Sequence, residues 1–228
     1  MKLHSRLICC LLPFALLCGC KKQPATAEPT ATNAAKPAQP AAAPTPAPAA
    51  GPDASAQGAE TAAKLAAAAW ALKQDEIKND PKGQWAIQAT SSSSYNDAQG
   101  TAQWSANQAT GVPNVEHYGD SGEAWAPKTP DSGIEWLDLK FPKPVHAEEV
   151  RVRESCGSGA VIKVEVFDEQ GAAHTVWAGN DPTTELNYLL VKTPKTPFKT
   201  DRVKITLATN VIPGWNEIDA VQLVGSDQ

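Results

Sequence analysis

Cysteine is scarce in this chain of 228 residues, which contains five. Cys9, Cys10, Cys18 and Cys20 lie close to the amino terminus, and Cys156 is the only one in the rest of the sequence. A disulfide framework is therefore excluded for the C-terminal part, which must be stabilised by a hydrophobic core. Cys156 stands in a Cys-Gly-Ser-Gly segment without a nearby His or Lys to activate it, so we expect a buried, unreactive thiol.

Recognisable catalytic and metal-binding motifs are also missing. His117, His146 and His174 are widely spaced, and none belongs to a His-x-x-x-His pair. The sequence has no Gly-x-Ser-x-Gly and no glycine-rich phosphate loop. With 20 basic and 25 acidic residues, the chain has a formal charge of −5, which argues against nucleic acid as a partner. These features predict a protein that is not an enzyme, although an enzyme without a recognisable motif stays open.

The amino terminus has the pattern of a secretion signal. Three basic or titratable residues precede an apolar run from Leu7 to Leu17, which is too short to span a bilayer as a mature helix. The run ends in Leu-Cys-Gly-Cys, which resembles the lipobox of bacterial lipoproteins, with Gly19 before the cut and Cys20 as the lipidated residue. The resemblance implies a signal peptide over residues 1–19, palmitate among the acyl chains on Cys20, and stable membrane anchoring. The alternative is an ordinary secretory signal that is cut nearby.

The segment after Cys20 is dominated by Ala, Pro and Thr up to about Gly58. It has no apolar side chain larger than alanine, so we expect residues 20–58 to be a disordered tether. Residues 59–80 are rich in strong helix formers and end in the helix breaker Asn79-Asp80-Pro81. We predict a short Ala-rich helix there, which either docks on the following domain through Trp70 or extends the spacer.

Residues 83–228 contain eight short segments with period-two alternation, separated by turns rich in Pro, Gly and Asp. The segments are WAIQATS, EWLDLKF, EEVRVRES, AVIKVEVFD, AHTVWAG, NYLLVKT, RVKITLA and IDAVQLV. No long amphipathic helix separates them. This pattern predicts one all-β domain, an antiparallel β-sandwich.

Several motifs in this part resemble the galactose-binding-like, or discoidin-like, jelly-roll domains. They are QWSANQATGVPNVEHYGDSGEAWAP, EWLDLKFPKPVHAEEVRVRES and the terminal GWNEIDAVQLVG. The resemblance covers residues 85–225 and implies a jelly-roll fold whose second and third segments belong to facing sheets. Their core positions are then Trp136, Leu137, Leu139, Val150 and Val152. The superfamily includes carbohydrate-binding, lipid-binding and protein-binding domains, so it does not determine the ligand.

A polar and aromatic segment, NVEHYGDSGEAW, is the candidate ligand-binding region. Flat aromatic rings beside carboxylates suit a sugar, whose C–H face is apolar and whose rim is polar. The candidate ligand-binding residues are Glu116, His117, Tyr118, Asp120, Glu123 and Trp125. Tryptophans in a small sandwich more often belong to the core, and we expect this for Trp104, Trp125 and Trp215, with His117 and Tyr118 exposed.

Glu217 and Asp219 begin the face of the last strand that Val221 and Leu223 bury. A buried carboxylate needs a partner, which here is a calcium ion, an arginine such as Arg151 or Arg153, or backbone amides. The family resemblance implies a structural calcium beside this strand, with Asn114 as a further ligand and Asp120 as an additional candidate. The family's usual glutamate position falls on Ala220, so we expect a metal-free corner in preference to calcium.

The sequence therefore predicts a monomeric cell-envelope lipoprotein whose domain faces the periplasm or the exterior. Lys21 after the lipidated cysteine favours the outer membrane. We expect the domain to bind a carbohydrate or envelope glycan without catalysis. The alternative is a protein–protein interaction scaffold in the envelope.

Overall fold

The computed structural model describes residues 54–96 and 102–228. The predicted signal peptide, Cys20 and the predicted tether as far as residue 53 lie outside the described residues. From Pro52 onward the chain forms one compact unit.

Helix α1 runs from Ala54 to Lys78, so the predicted Ala-rich helix is present but begins earlier than residue 59. It ends where Asn79 donates from its side chain to the carbonyl of Asp75, at 3.0 Å. Most of the helix is exposed, but Ile77 near its end is 2% exposed, and its carbonyl accepts a hydrogen bond from the buried amide of Gln222 at 3.0 Å. The end of the helix therefore packs against the domain, and the predicted boundary at residue 83 stays a prediction.

Among the described residues, no helix is both long enough and apolar enough to span a membrane.

Eight antiparallel strands follow in the described residues, which confirms the all-β sandwich. They are β1 (Gly83–Trp85), β2 (Gln88–Ser91), β3 (Ile134–Cys156), β4 (Val161–Phe167), β5 (Ala173–Ala178), β6 (Asn187–Lys192), β7 (Thr200–Ala208) and β8 (Glu217–Ser226). The first predicted segment, WAIQATS, is divided between β1 and β2. Between β2 and β3, the described residues form loops and a 3₁₀ turn, Ala106–Ala109.

Strand β3 belongs to both sheets of the sandwich. Its first half, before Pro142, pairs with β2 and β7, and β7 continues to β4 and β5. Its second half pairs with β6 and β8, and β8 continues to β1. The pairing register with β7 shifts between Lys140 and Val145, where Pro142 and Pro144 occur. The proline-marked corner predicted from the sequence is therefore a bend inside one long strand.

The core lies between the two sheets. Leu137, Leu139, Val150 and Val152 are fully buried in it, as predicted. Trp136 was wrongly predicted as a core residue, because adjacent residues of a strand face opposite sides. It is half-buried on the outer face, where the Lys204 ammonium lies 4.5 Å from its ring centre.

Candidate functional site

An aromatic cleft lies at the end of the sandwich where β8 begins. Its cavity volume is about 130 Å³, and it is lined by Tyr95, Trp104, Asp120, Ala126, Trp215 and Glu217. Tyr95 follows β2, Trp104 lies between β2 and β3, and Trp215 lies two residues before the start of β8. We call these six residues the aromatic cleft.

Trp125, which is fully buried, connects the segments that form the cleft. Its backbone exchanges two hydrogen bonds with Ile218, at 2.9 and 3.0 Å, and it forms an isolated bridge with Trp104. Its indole nitrogen donates to the carbonyl of Ser93 at 3.0 Å. These bonds tie the loop to β8 and to the segment after β2, so a core tryptophan positions residues that are far apart in the chain.

The two half-exposed tryptophans of the cleft are fixed by their ring nitrogens. Trp104 Nε1 donates to Asp120 Oδ1 at 3.0 Å, and Trp215 Nε1 donates to the carbonyl of Pro127 at 3.1 Å. Tyr95, which is 54% exposed, packs edge to face against both. Because the N–H groups are used within the protein, the ring surfaces are what the tryptophans offer to a ligand.

Glu217 forms the polar base of the cleft and is 1% exposed. Its Oε2 accepts a hydrogen bond from the backbone N–H of Ser121 at 3.1 Å. Burial raises the pKa of Glu217 to about 8, and the neighbouring Asp120 carboxyl adds to this rise, which outweighs the lowering by Ser121. At neutral pH the folded protein therefore favours the protonated form of Glu217.

Asp219 lies outside the cleft, although it is only two residues further along β8. Its Oδ2 is 2.9 Å from Nε of Arg153, and its Oδ1 accepts a hydrogen bond from the N–H of Asn114 at 3.3 Å. Burial raises its pKa to about 6, against the lowering by Asn114 and Arg153. Because this value is below 7, Asp219 is charged at neutral pH and forms an ion pair with Arg153.

Arg153 is held from several sides. Its Nη2 donates to the carbonyl of Val115 at 2.8 Å, and its Nη1 donates to the side chain of Gln74 in α1. The guanidinium carbon lies 5.5 Å from the ring centre of Tyr188 and 5.9 Å from that of Trp70. Arg153 and Asp219, with the residues that hold them, form what we call the arginine corner.

The calcium ligands proposed from the sequence, Asn114, Glu217 and Asp219, have protein partners in the structure. The guanidinium of Arg153 already provides the positive charge at Asp219, and the group that Asn114 directs at Asp219 is an N–H donor, whereas calcium needs oxygen. Glu217 faces the cleft and not this corner. In the part of the chain that the structure describes, no three or more His, Cys, Asp or Glu residues form a group that could hold a metal. Asp219 therefore has an arginine partner, one of the three kinds of partner considered from the sequence, and the calcium site stays a prediction.

The sequence also misplaced the face on which these carboxylates lie. Ile218 belongs to the same core cluster as Val221 and Leu223. Ile218 and Val221 are three residues apart, whereas residues on one face of a regular strand are separated by an even number. The departure arises because the pairing of β8 with β3 shifts in register between Arg153 and Glu154. Glu217 and Asp219 are therefore not continuous with the apolar face.

A comparison with protein-family models gives a match over most of the described residues. The family model described as Pappalysin-1, SD scarf domain, C-terminal, matches residues 74–228. The chain belongs to this family. The matched region begins inside α1, whose end packs on the sandwich. The comparison with curated proteins found no match.

Similar solved structures include domains of several functions. Chitosan-binding module 1 from a chitosanase/glucanase of Paenibacillus sp. IK-5 is 15% identical, with a TM-score of 0.45, covering 60% of this chain and 94% of the module. The family 32 carbohydrate-binding module of C. perfringens NanJ, in complex with galactose, is 16% identical, with a TM-score of 0.45, covering 62% and 98%. Reduced XRCC1 bound to the DNA polymerase β catalytic domain is 13% identical, with a TM-score of 0.47, covering 63% and 98%. These distant similarities do not indicate which ligand this chain binds.

The predicted ligand-binding residues are dispersed in this family member. Asp120 alone lies in the aromatic cleft. Glu116 and His117 line a separate groove beneath α1, while Tyr118 and Glu123 are exposed. Trp125 is fully buried and was wrongly included, because a core side chain cannot contact a ligand.

The tryptophan prediction was correct for Trp125 and wrong for the other two. Trp215 is 38% exposed and Trp104 is half-buried, because each lies in a loop beside the opening of the cleft. The signal for this was their location in turn-rich segments, which they share with Tyr95. The sequence could not show that the three would meet, because their separation along the chain is bridged only by the folded sheets.

Proposed function

We propose that this protein binds a carbohydrate without catalysis, and that the aromatic cleft is the binding site. The observation that carries the proposal is the meeting of three aromatic rings with two carboxyl groups in one concavity. Ligand sites are typically concave and mostly apolar, with a few polar groups that orient the ligand. A sugar suits this arrangement, since its C–H groups pack on rings and its hydroxyl groups bond to carboxylates.

A glycan array with the full-length chain tests this function, with variants that compare the cleft with the segment predicted from the sequence. Tyr95 and Tyr118 are similarly exposed, at 54% and 50%, but only Tyr95 lies in the cleft. We expect Tyr95→Ala to weaken binding by at least about tenfold, which corresponds to roughly 1.4 kcal/mol. Trp136→Ala, which removes a half-buried tryptophan on the outer sheet face, is the matched control and should bind as wild type.

Two results would contradict the cleft as the binding site. In the first, Tyr118→Ala abolishes binding while Tyr95→Ala has no effect, which would move the site to the Glu116–Tyr118 segment. In the second, no glycan binds and a protein partner is captured in a Tyr95-independent manner, which would favour an envelope scaffold.

We further propose that the protein is a lipoprotein of the cell envelope, anchored through Cys20 and extended by the residues that follow. The support is the sequence pattern at Leu17–Cys20. Cys20→Ala should release the protein from membranes or leave an uncut precursor, which membrane fractionation and labelling with a palmitate analogue would measure. A variant that fractionates with the membrane and migrates like the wild type would refute the anchor.

A further inference from the structure

We propose that the group bound within the aromatic cleft is a cation, namely an ammonium or methylated ammonium group carried by the ligand. The proposal rests on the proposed function, because it assigns the chemistry of the ligand at the same site. An amino sugar or a choline-substituted glycan would combine the two.

The angles between the rings favour a compact group. The ring of Trp104 lies 5.3 Å from that of Tyr95 at an interplanar angle of 70°, and the ring of Trp215 lies 5.8 Å from it at 85°. Both tryptophans are thus steeply inclined to the tyrosine, and the three rings do not form one flat platform. A sugar ring can stack on one of these rings, whereas a rounded alkylammonium group can contact several inclined rings together. Such aromatic cages bind quaternary ammonium groups through cation–π attraction.

The ionisable residues that line the cleft are acidic, which suits a cationic ligand. Asp120 and Glu217 are both acidic, and none of the six residues that line the cleft is basic. The N–H groups of Trp104 and Trp215, which would repel a cation, are bonded to Asp120 and to the carbonyl of Pro127. The cleft therefore offers ring surfaces and carboxylate oxygens.

The carboxyl pair can accommodate the added charge. Burial and Asp120 raise the pKa of Glu217 to about 8, so Glu217 holds a proton at neutral pH. The thiol of Cys156, which pairs with Glu217 across the sheet, is neutral because burial raises its pKa to about 11. A bound ammonium group would replace the proton on Glu217, so binding should release a proton.

The backbone of Trp104 supports a binding role for its ring. Its φ is 56°, in the left-handed region that bulky residues rarely adopt. Such strain persists where surrounding contacts fix it and is concentrated at ligand sites. Here the N–H of Trp104 donates to the carbonyl of Gly122 at 3.1 Å, and its side chain bonds to Asp120. The unfavourable conformation therefore sets the position of one wall of the cleft.

Calorimetry with the full-length chain and two matched ligand pairs tests the inference. The first pair is choline and its neutral isostere 3,3-dimethyl-1-butanol, and the second is glucosamine and glucose. We expect the cationic member of each pair to bind at least tenfold more tightly and Tyr95→Ala to abolish this binding. Repeating the titration in buffers of different ionisation enthalpy should reveal the released proton.

Two variants that each remove one carboxylate charge distinguish an effect of the cleft from an effect of the protein's overall charge. Asp120→Asn should remove most of the preference for the cation, whereas Asp227→Asn, at an exposed position near the C-terminus, should leave it unchanged. Retained binding of the neutral ligand would show that Asp120→Asn still folds. An equal loss in both variants would overturn the role of the cleft carboxylate.

The outcomes distinguish the inference from the function on which it rests. Equal, Tyr95-dependent binding of glucose and glucosamine would keep the carbohydrate function and overturn the cation. Binding of choline without either sugar would support the cation and contradict the carbohydrate function. Binding of none of the four probes at millimolar concentration would overturn the cation, while binding on the glycan array would still decide the function.

Discussion

Glu217 and Asp219 are equally buried carboxylates on one strand, yet their surroundings neutralise them in different ways. Asp219 has a fixed guanidinium at 2.9 Å and no access to the cleft. Glu217 has a backbone N–H donor and a neighbouring carboxyl group, so a proton serves as its counter-charge at neutral pH. The guanidinium of Arg153 is a permanent counter-ion, so Asp219 has a structural role. The proton on Glu217 can be exchanged, so a bound cation can take its place in the cleft.

The largest expected effect comes from breaking the arginine corner. Asp219→Ala leaves the guanidinium of Arg153 buried without its partner, and we expect unfolding to require about 3–5 kcal/mol less free energy. Urea denaturation measures this. The matched control is Asp138→Ala, which breaks the more exposed pair with Arg202 and should cost less than about 1 kcal/mol. Equal effects from the two changes would show that Arg153 reaches solvent when Asp219 is absent.

The next effect is a change in how stability depends on pH. The native state keeps a proton on Glu217 up to about pH 8, whereas the unfolded chain loses it near the ordinary value of 4.5. The contribution of this group is therefore fully present below pH 4.5 and is lost as the pH rises to about 8. Glu217→Gln should flatten the fall in stability between these values. Burial also raises the pKa of Glu154 to about 9, so this group too makes stability fall as the pH rises. That part of the fall should remain in the Glu217→Gln variant.

The pH profile also distinguishes the two carboxylates. Asp219→Asn should alter the slope only below about pH 6, because the pKa of Asp219 is about 6 in the native state and its ordinary value is 3.8. Melting temperatures across this pH range would show the difference. Identical profiles for the two variants would contradict the division between cleft and corner.

A smaller effect is expected from the contact of α1 with the arginine corner. Gln74→Ala removes an acceptor from Arg153 and should lower stability by about 1 kcal/mol. Lys73→Ala, at the neighbouring exposed position, should change it by less than about 0.5 kcal/mol. Ligand binding in the cleft should be unaffected by either variant. A loss of binding in Gln74→Ala would show that the corner and the cleft are coupled.

The smallest effect concerns the reactivity of Cys156. Burial, together with the charges of Glu217 and Asp120, raises the pKa of this thiol to about 11, so alkylation by iodoacetamide near pH 9, where Glu217 is ionised, should be slow. Glu217→Gln should increase the alkylation rate several-fold, while Asp219→Asn should leave it unchanged. Mass spectrometry of the alkylated chain gives both rates, and a rate unchanged by Glu217→Gln would contradict the proximity of the two groups.

The sequence was most informative where local periodicity decides structure. Strand alternation and proline punctuation predicted the sandwich and the corner at Pro142, and alanine content predicted the helix. The prediction failed at Glu217 and Asp219, because a register shift is set by pairing with β3 and leaves no mark in the sequence of β8. It also failed at Trp104 and Trp215, since burial depends on where a loop lies over the sheets.

The amino-acid sequence by itself determined the all-β class, a C-terminal part with a single cysteine, and the aromatic and acidic residues available in its loops. Those properties follow from composition and from spacings of a few residues. Only the tertiary structure decided that Arg153 would pair with Asp219 and that Tyr95, Trp104 and Trp215 would share a cleft with Glu217. Residues so distant in sequence meet because antiparallel pairing returns the chain repeatedly to the same end of the sandwich, which no local pattern specifies.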